Sequence, residues 1–265
     1  MCRCPAHDDR SPSLAIGLGK HAILFHCFAG CLSADILAGF ARHGIEAREL
    51  FDGSGTAIAP VVREEGPDRN VLRLWRQAEV LQGSPASGYL TGRSINLGSP
   101  ELRFHEKTPL GKRPDVRFLH AMLASVRTDE GIIALHRTFL DRKSSGIARF
   151  EMPKRALGSL GTGAVRLFGQ RGGRLGLAEG IETALSAYQM FGIPCWATLG
   201  NERFGLVTVP ESIRELHLFI DADAGGTLAE ERAREAYALE GRRIVTRRPT
   251  IDGQDWNDVL SSRAR

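Results

Sequence analysis

The sequence of 265 residues predicts an α/β protein in three parts. Cysteine and histidine pairs at the ends of a predicted hairpin indicate an N-terminal zinc ribbon, over residues 1–51. An excess of arginine and lysine marks a basic middle subdomain of mixed α+β type, over residues 71–173 after a linker at 52–70. Strands that alternate with helices predict a Rossmann-like parallel sheet over residues 174–265.

In the first part, residues 11–18 and 21–28 have the composition of two short strands on either side of a turn. Residues 33–44 predict a helix with Ser33 as its N-cap and Gly44 at its end. The segment 52–70 combines Gly, Ser, Pro and charge without a sustained period, which is typical of a linker.

The middle part begins with two predicted helices, at residues 71–83 and 84–95. A small mixed sheet should follow, with strands at 121–128, 131–141, 146–152 and 164–169. His136 falls within the strand pattern "ALHRTFL", where a structural histidine is a more common outcome than a catalytic one.

Charge is distributed unevenly along the chain. Residues 103–174 contain 15 Lys/Arg and 6 Asp/Glu, a local excess of +9, so a chain of net charge +4 has −5 elsewhere. A basic region beside an acidic one favours a track for a polyanion next to a metal site. The alternative is an arginine-rich surface that is simply solvated.

In the third part, the predicted strands are 174–180, 194–200, 215–220 and 242–248, and the predicted helices are 181–192, 227–239 and 255–262. No apolar run approaches the roughly 18 residues that span a bilayer, and the N terminus lacks the apolar stretch of a signal peptide. We therefore expect a cytoplasmic protein without a membrane partner.

Four residues near the N terminus have the spacing C-x2-H-x19-C-x3-C, namely Cys4, His7, Cys27 and Cys31. Two such pairs can close a tetrahedron around Zn²⁺ and leave no open position, which predicts a structural site. Cys2 and His26 are possible substitutes for a neighbouring ligand, and a chance grouping of core cysteines is the alternative to any metal site.

Acidic residues follow three of the predicted parallel strands, and these are Glu179 with Gly180 after it, Asp221 and Asp223, and Asp255 and Asp258. The carboxyl ends of parallel strands meet at one edge of a sheet. Converging carboxylates favour Mg²⁺ or Mn²⁺, which prefer oxygen ligands. Capping of the following helix is the alternative for Asp221 and Asp223, and Asp223 can do both.

Two sets of motifs resemble those of DNA primases. "CPAHDDRSPSL" and "FHCFAGC" resemble the CHC2-type zinc finger of bacterial and phage primases. "AEGIETALSA", the D-x-D at Asp221 and Asp223, and "DWNDVL" resemble the Toprim domain, above all in the primase-like proteins of phages, plasmids and mobile elements. The resemblance covers most of the chain in the order seen in primases.

The resemblance implies Glu179, Asp221 and Asp223 as catalytic and metal-binding residues and Asp255 as a further metal ligand, with Gly180 and Asp258 beside the cofactor. Two positions depart from the primase pattern. Thr183 stands where primases usually place an aspartate, and Gln254 stands where a lysine often precedes the later acid.

The implied activity is synthesis of short RNA primers on single-stranded DNA from ribonucleoside triphosphates at the replication site. Arg117, Arg137 and Arg149 are examples of arginines that could bind nucleic acid or nucleotide phosphates. The chain lacks a G-x-x-x-x-G-K-[ST] loop, so a replicative helicase would be a separate partner. A Toprim nuclease and a non-catalytic adaptor that binds single-stranded DNA remain the alternatives.

Overall fold

The computed structural model describes residues 2–9, 12–18, 23–45, 69–111, 114–144 and 146–263. The chain divides into two compact units, Met1–Glu64 and Glu65–Arg265. The predicted linker lies outside the described residues except for its last two, which belong to a helix. None of the described helices is long and apolar enough to cross a membrane.

The first unit is a small ribbon with one helix. Strands β1 (Leu14–Leu18) and β2 (Ile23–Cys27) pair in antiparallel fashion, and helix α1 spans Ser33–Arg42. The predicted N-cap is wrong by one residue: Leu32 is the cap, because its carbonyl already accepts the Ile36 N–H that closes the first turn. Among the described residues of this unit, the buried apolar cluster is small, and two of its four buried members are the predicted zinc ligands Cys4 and Cys27.

The middle part is built on one antiparallel sheet of order β3-β4-β5-β6-β7. Its elements in chain order are α2 (Arg69–Gln77), β3 (Glu79–Val80), α3 (Pro85–Gly92), β4 (Leu102–Leu110), β5 (Arg117–Thr128), β6 (Gly131–Phe139) and β7 (Lys154–Leu157). Along β6, residues 134 and 136 face the C-terminal part, whereas Leu135 and Phe139 pack with α2 residues in a separate cluster.

Several predictions for this sheet were wrong. Residues 146–152 and 164–169 form isolated bridges instead of strands, and the sheet is antiparallel instead of mixed. Strand β4 was missed because its alternation is broken by charged residues, by Pro109 and by a register shift between His105 and Thr108. The first predicted helix ends at Gln77, because Glu79 and Val80 pair with β4.

The C-terminal part contains the predicted parallel sheet. Its elements are β8 (Arg174–Ala178), α4 (Ile181–Phe191), β9 (Cys195–Ala197), β10 (Glu215–Phe219), α5 (Ala224–Tyr237), β11 (Arg243–Arg247) and α6 (Trp256–Arg263). All pairs in the order β11-β10-β8-β9 are parallel, which confirms the predicted fold class. The chain leaves β8 toward β9 on one side and returns as β10 on the other, so the strand order reverses between β8 and β10.

The middle and C-terminal parts share one hydrophobic core. Phe104 and Met122 of the antiparallel sheet belong to the same buried cluster as Ile181, Phe219 and Trp256. The two parts therefore pack as one body within the second unit, and residues of the middle sheet can reach the edge of the parallel sheet.

Candidate metal centres and active-site cleft

The four predicted zinc ligands come together in the first unit. The donor atoms of Cys4, His7, Cys27 and Cys31 all lie within 4.8 Å of one another, and His7 Nδ1 is 3.2 Å from Cys31 Sγ. Tetrahedral Zn²⁺ with Zn–S bonds of ~2.3 Å places its ligands at this kind of separation, so the donor set fits zinc. Burial acts to raise the pKa of Cys27, but hydrogen bonds from Cys31 and Ser13 outweigh it and lower that pKa to about 6.

Asp9 supports this cluster and was missed from the sequence. Its Oδ2 accepts from the backbone N–H of Cys4 at 2.6 Å and from the Ser13 hydroxyl at 2.7 Å. Its Oδ1 lies 3.7 Å from His7 Nε2, on the side of the imidazole away from Cys31. A carboxylate in this position fixes the ring orientation and favours binding through Nδ1. Cys2 and His26 are exposed and outside the cluster.

In the second unit, four of the five acids predicted from strand ends line one cleft of about 540 Å³. Glu179 and Gly180 follow β8, Asp221 and Asp223 follow β10, and Asp255 precedes α6. The cleft lies where the strand order reverses, the usual ligand position in such sheets. A more apolar groove of about 660 Å³ lies beside α3, but no carboxylate lines it.

Asp221 is the carboxylate with the clearest need for a cation. Its Oδ1 is buried and has no hydrogen-bond partner among the described residues. Burial, together with the negative charges of Asp255, Glu179 and Asp223, raises the pKa of Asp221 to about 7. A divalent cation would supply the missing partner and offset the repulsion, so these residues fit Mg²⁺ or Mn²⁺.

The cleft carboxylates are spaced more widely than the zinc ligands. Among the described residues, only the Cys/His cluster brings three or more ligand atoms within 4.8 Å. A metal in the cleft would therefore keep part of its shell for water or phosphate oxygens, as Mg²⁺ usually does.

Three of the predicted acids also cap helices. Asp223 Oδ1 accepts from Gly226 N at 2.7 Å as the N-cap of α5, so it combines a capping role with a place in the cleft. Asp255 and Asp258 accept from each other's backbone N–H at the start of α6, at 2.8 and 3.1 Å. Asp258 is exposed and outside the cleft lining, so its observed role is that of a cap.

Asn201 is a hydrogen-bond partner of the cleft residue Glu179 that the sequence did not reveal, although Asn201 does not itself line the cleft. The turn after β9 has positive φ at Leu199 and Gly200, and it directs the Asn201 side chain toward Glu179. Burial and the charge of Asp223 raise the pKa of Glu179, whereas a hydrogen bond from Asn201 acts in the opposite direction. A Cβ on Gly225 would lie only 2.5 Å from Asn201 Nδ2, so the approach of this amide requires glycine at 225.

The wall opposite the acids comes from the middle part. Arg93, His136 and Lys154 line it, together with Glu182 and Thr183 at the start of α4. Lys154 Nζ donates to Glu182 Oε2 at 2.9 Å, and the Tyr89 hydroxyl donates to Glu182 Oε1 at 2.6 Å. Burial alone would raise the pKa of Glu182, but Lys154 and Tyr89 outweigh it and hold that pKa at about 2.

Of the two positions that depart from the primase pattern, one lines the cleft and the other does not. Thr183 lines the cleft without a charge. Gln254 does not line it, and the Gln254 carbonyl accepts from the backbone N–H of Ala222, between the two aspartates.

The three arginines chosen from the sequence occupy different settings. Arg117 and Arg149 are exposed, and the Arg117 guanidinium lies 5.6 Å from the centre of the Phe150 ring. Arg137 is only 9% exposed and donates to the carbonyls of Pro109 and Ala156. Two of the three arginines are therefore accessible at the surface, whereas Arg137 links β6 to β4 and β7.

Comparisons with known proteins identify two regions. Residues 65–167 match a domain of unknown function (DUF7146), and residues 174–265 match the Toprim domain. The sequence matches no curated protein.

Among solved structures, the DnaG catalytic core is similar with a TM-score of 0.50 and 16% identity, over 69% of this chain and 71% of that one. A primase domain from Pseudomonas aeruginosa is similar with a TM-score of 0.49 and 15% identity, over 72% of this chain and 73% of that one. The zinc-binding and RNA polymerase domains of the Aquifex aeolicus primase are similar with a TM-score of 0.49 and 14% identity, over 98% of this chain and 74% of that one. At these identities the likeness concerns the fold.

Proposed function

Because residues 174–265 form a Toprim domain and the second unit has a fold similar to the DnaG catalytic core, we propose that this protein is a DNA primase. It would act at the cytoplasmic replication site on a single-stranded DNA template, with a separate helicase as partner. The observation that supports this most is the unpaired, buried Asp221 carboxylate among three further cleft acids, opposite a wall with arginine and lysine.

The proposed reaction joins two ribonucleotides. The 3′-hydroxyl of one attacks the α-phosphorus of the next, a P–O bond forms, the bond to the β-phosphate breaks, and pyrophosphate leaves. Glu179, Asp221, Asp223 and Asp255 would hold Mg²⁺ or Mn²⁺, which when bound lowers the pKa of the attacking hydroxyl and stabilises charge on the leaving oxygens. As an alternative to binding the metal, Glu179 would act as the general base that accepts the hydroxyl proton.

The opposite wall would bind the triphosphate. The Arg93 guanidinium donates to Asn257 Oδ1 at 2.8 Å, which fixes its position beside the cleft. Lys154, held by Glu182, adds a second positive charge. Cationic groups placed in advance stabilise the charge that develops on a departing pyrophosphate. Arg117 and Arg149 would contribute to binding the template backbone.

Zinc would have a structural role in the first unit. A closed set of three thiolates and one imidazole has no open position for substrate. It would hold β1, β2 and α1 together where the apolar core is small.

The test is primer synthesis on mixed single-stranded DNA templates with labelled ribonucleotides and Mg²⁺ or Mn²⁺. The variant is Asp221→Asn with Asp223→Asn, because asparagine keeps the cap of α5 while it removes both charges. In other proteins, loss of a residue that only supports a metal ligand lowers metal affinity or activity by about 10–100-fold. Because this variant changes two proposed ligands themselves, we expect product to fall by more than ~100-fold. Asp252→Asn, which removes an exposed acid outside the cleft, should leave synthesis unchanged.

Other outcomes would replace the proposal. Template degradation that depends on Asp221 and Asp223, without primers, would make the protein a nuclease. Salt-sensitive DNA binding with neither activity would make it an adaptor, a reading that the neutral Thr183 favours.

A further inference from the structure

His136 is a cleft residue that the proposed reaction does not use. It lies on β6, opposite Ala124 of β5 and Ala156 of β7, on the face of the sheet directed toward the C-terminal part. Its ring lines the cleft beside Lys154. Its Nδ1 is buried and has no hydrogen-bond partner among the described residues. The sequence favours a histidine with satisfied partners at this position, and the structure shows one with an unsatisfied nitrogen.

The ring is neutral at ordinary pH. Burial lowers the pKa of His136 to about 4, against the negative charge of Glu182, and the positive charges of Lys154 and Arg137 act in the same direction as burial. With Nδ1 unpaired, no protein group fixes which nitrogen carries the proton. The nitrogen on the cleft side can therefore either donate or accept a hydrogen bond.

This combination distinguishes His136 from its neighbours. Arg93 and Lys154 offer only donors and positive charge, which suit phosphate oxygens. Glu179 and the aspartates offer acceptors for a cation. A neutral group that both donates and accepts suits a hydroxyl, which does the same.

We propose that His136 binds a sugar hydroxyl of the incoming ribonucleotide and thereby selects ribonucleotides over deoxyribonucleotides. The inference rests on the proposed function, which supplies the substrate class. It adds the side chain that recognises the sugar of the nucleotide. A site that hydrogen-bonds a substrate hydroxyl rejects an analogue without it, because the polar group of the site is then left unpaired. The 2′-hydroxyl is the feature that distinguishes the two kinds of nucleotide.

The test compares equilibrium binding of ATP, 2′-deoxyATP and 3′-deoxyATP to the full chain with Mg²⁺ or Mn²⁺, so that it needs no turnover. The wild type should prefer ATP to 2′-deoxyATP, and rejection of 3′-deoxyATP alone would overturn the proposed selection of ribonucleotides. In His136→Leu we expect that preference to fall by ~10-fold or more. His136→Gln, whose amide can reach the position of Nε2, should recover part of it.

His120→Leu is the matched control. His120 lies on the same face of the sheet and has a buried Nε2 without a partner, but it does not line the cleft. Its replacement should leave the ATP preference unchanged. An equal loss in the His120 and His136 variants would assign the effect to the sheet and overturn the proposal.

The outcomes separate this inference from the proposed function. A preference for ATP that depends on His136, in a protein that makes no primers, would uphold the subsite and overturn primer synthesis. If the protein makes primers and His136→Leu keeps the wild-type preference for ATP, primer synthesis would be upheld and the subsite would be overturned. A wild type that binds none of the three nucleotides would overturn the subsite.

Discussion

At the scale of single residues, Asp221 combines burial with repulsion. Its Oδ1 is buried without a partner, and three other acids of the cleft act to raise its pKa to about 7. Without a cation, the folded protein therefore binds a proton at this carboxyl over a pH range where the unfolded chain has released it.

This predicts a loss of stability as pH rises in protein without added divalent cation. Because the folded pKa of Asp221 is above its ordinary value of 3.8, its contribution is fully present below that value and is lost as pH rises through about 7. We expect the unfolding temperature to fall between pH 5 and 8, and Mg²⁺ to restore it more at pH 8.

Asp221→Asn should show a smaller fall over the same range, because it removes the ionisable group. Asp252→Asn serves as the control and should follow the wild type, because Asp252 is exposed, does not line the cleft and is not among the charges that raise the pKa of Asp221. An Asp221→Asn variant with the full pH dependence of the wild type would contradict this account.

At the scale of elements, the turn after β9 and the start of α5 are fitted to each other. Asn201 comes from the turn, and Gly225 leaves the space in which its amide lies. Glu179 and Asp221 were predicted because they are acids directly after predicted strands. Neither Asn201 nor Gly225 is acidic, so that pattern could not indicate them.

Gly225→Ala should weaken metal binding in the cleft. The added Cβ would displace the Asn201 amide and with it a hydrogen bond to Glu179. Supporting partners of this kind contribute 10–100-fold in metal affinity, so we expect Mn²⁺ binding to weaken by ~10-fold in a titration.

Two comparisons check the mechanism. Asn201→Ala should have the same effect as Gly225→Ala, and the double variant should be no worse than either alone, because both remove one contact. Gly169→Ala, at a site where a Cβ meets nothing within 4 Å, should bind Mn²⁺ as the wild type does. Fully additive losses would show that Gly225 acts through another contact.

At the scale of the whole second unit, a buried carboxylate joins its two parts. Glu182 of α4 accepts hydrogen bonds from Tyr89 of α3 and Lys154 of β7, 93 and 28 residues away in the chain. The shared apolar core encloses this contact, so it positions the cationic wall against the parallel sheet.

Tyr89→Phe should lower the free energy of unfolding by about 2 kcal/mol, the usual contribution of a hydrogen bond to a charged group. Combined with Glu182→Gln in a double-mutant cycle, the two changes should be less than additive. Tyr188→Phe is the control, because its ring stacks on Phe168 and no hydrogen bond of its hydroxyl is found among the described residues. Full additivity in chemical denaturation would exclude the Tyr89–Glu182 contact.

The sequence by itself determined the features that depend on local pattern and chain order. Residue spacing was sufficient to predict which two cysteine and histidine pairs come together, and alternation of strands and helices predicted the parallel sheet with acids at its carboxyl edge. Only the tertiary structure decided that Arg137 is buried, that Asp258 is a cap outside the cleft, that His136 lines the cleft, and that Asn201 hydrogen-bonds to Glu179. The physical reason is that these roles depend on packing between segments far apart in the chain, which no local period encodes.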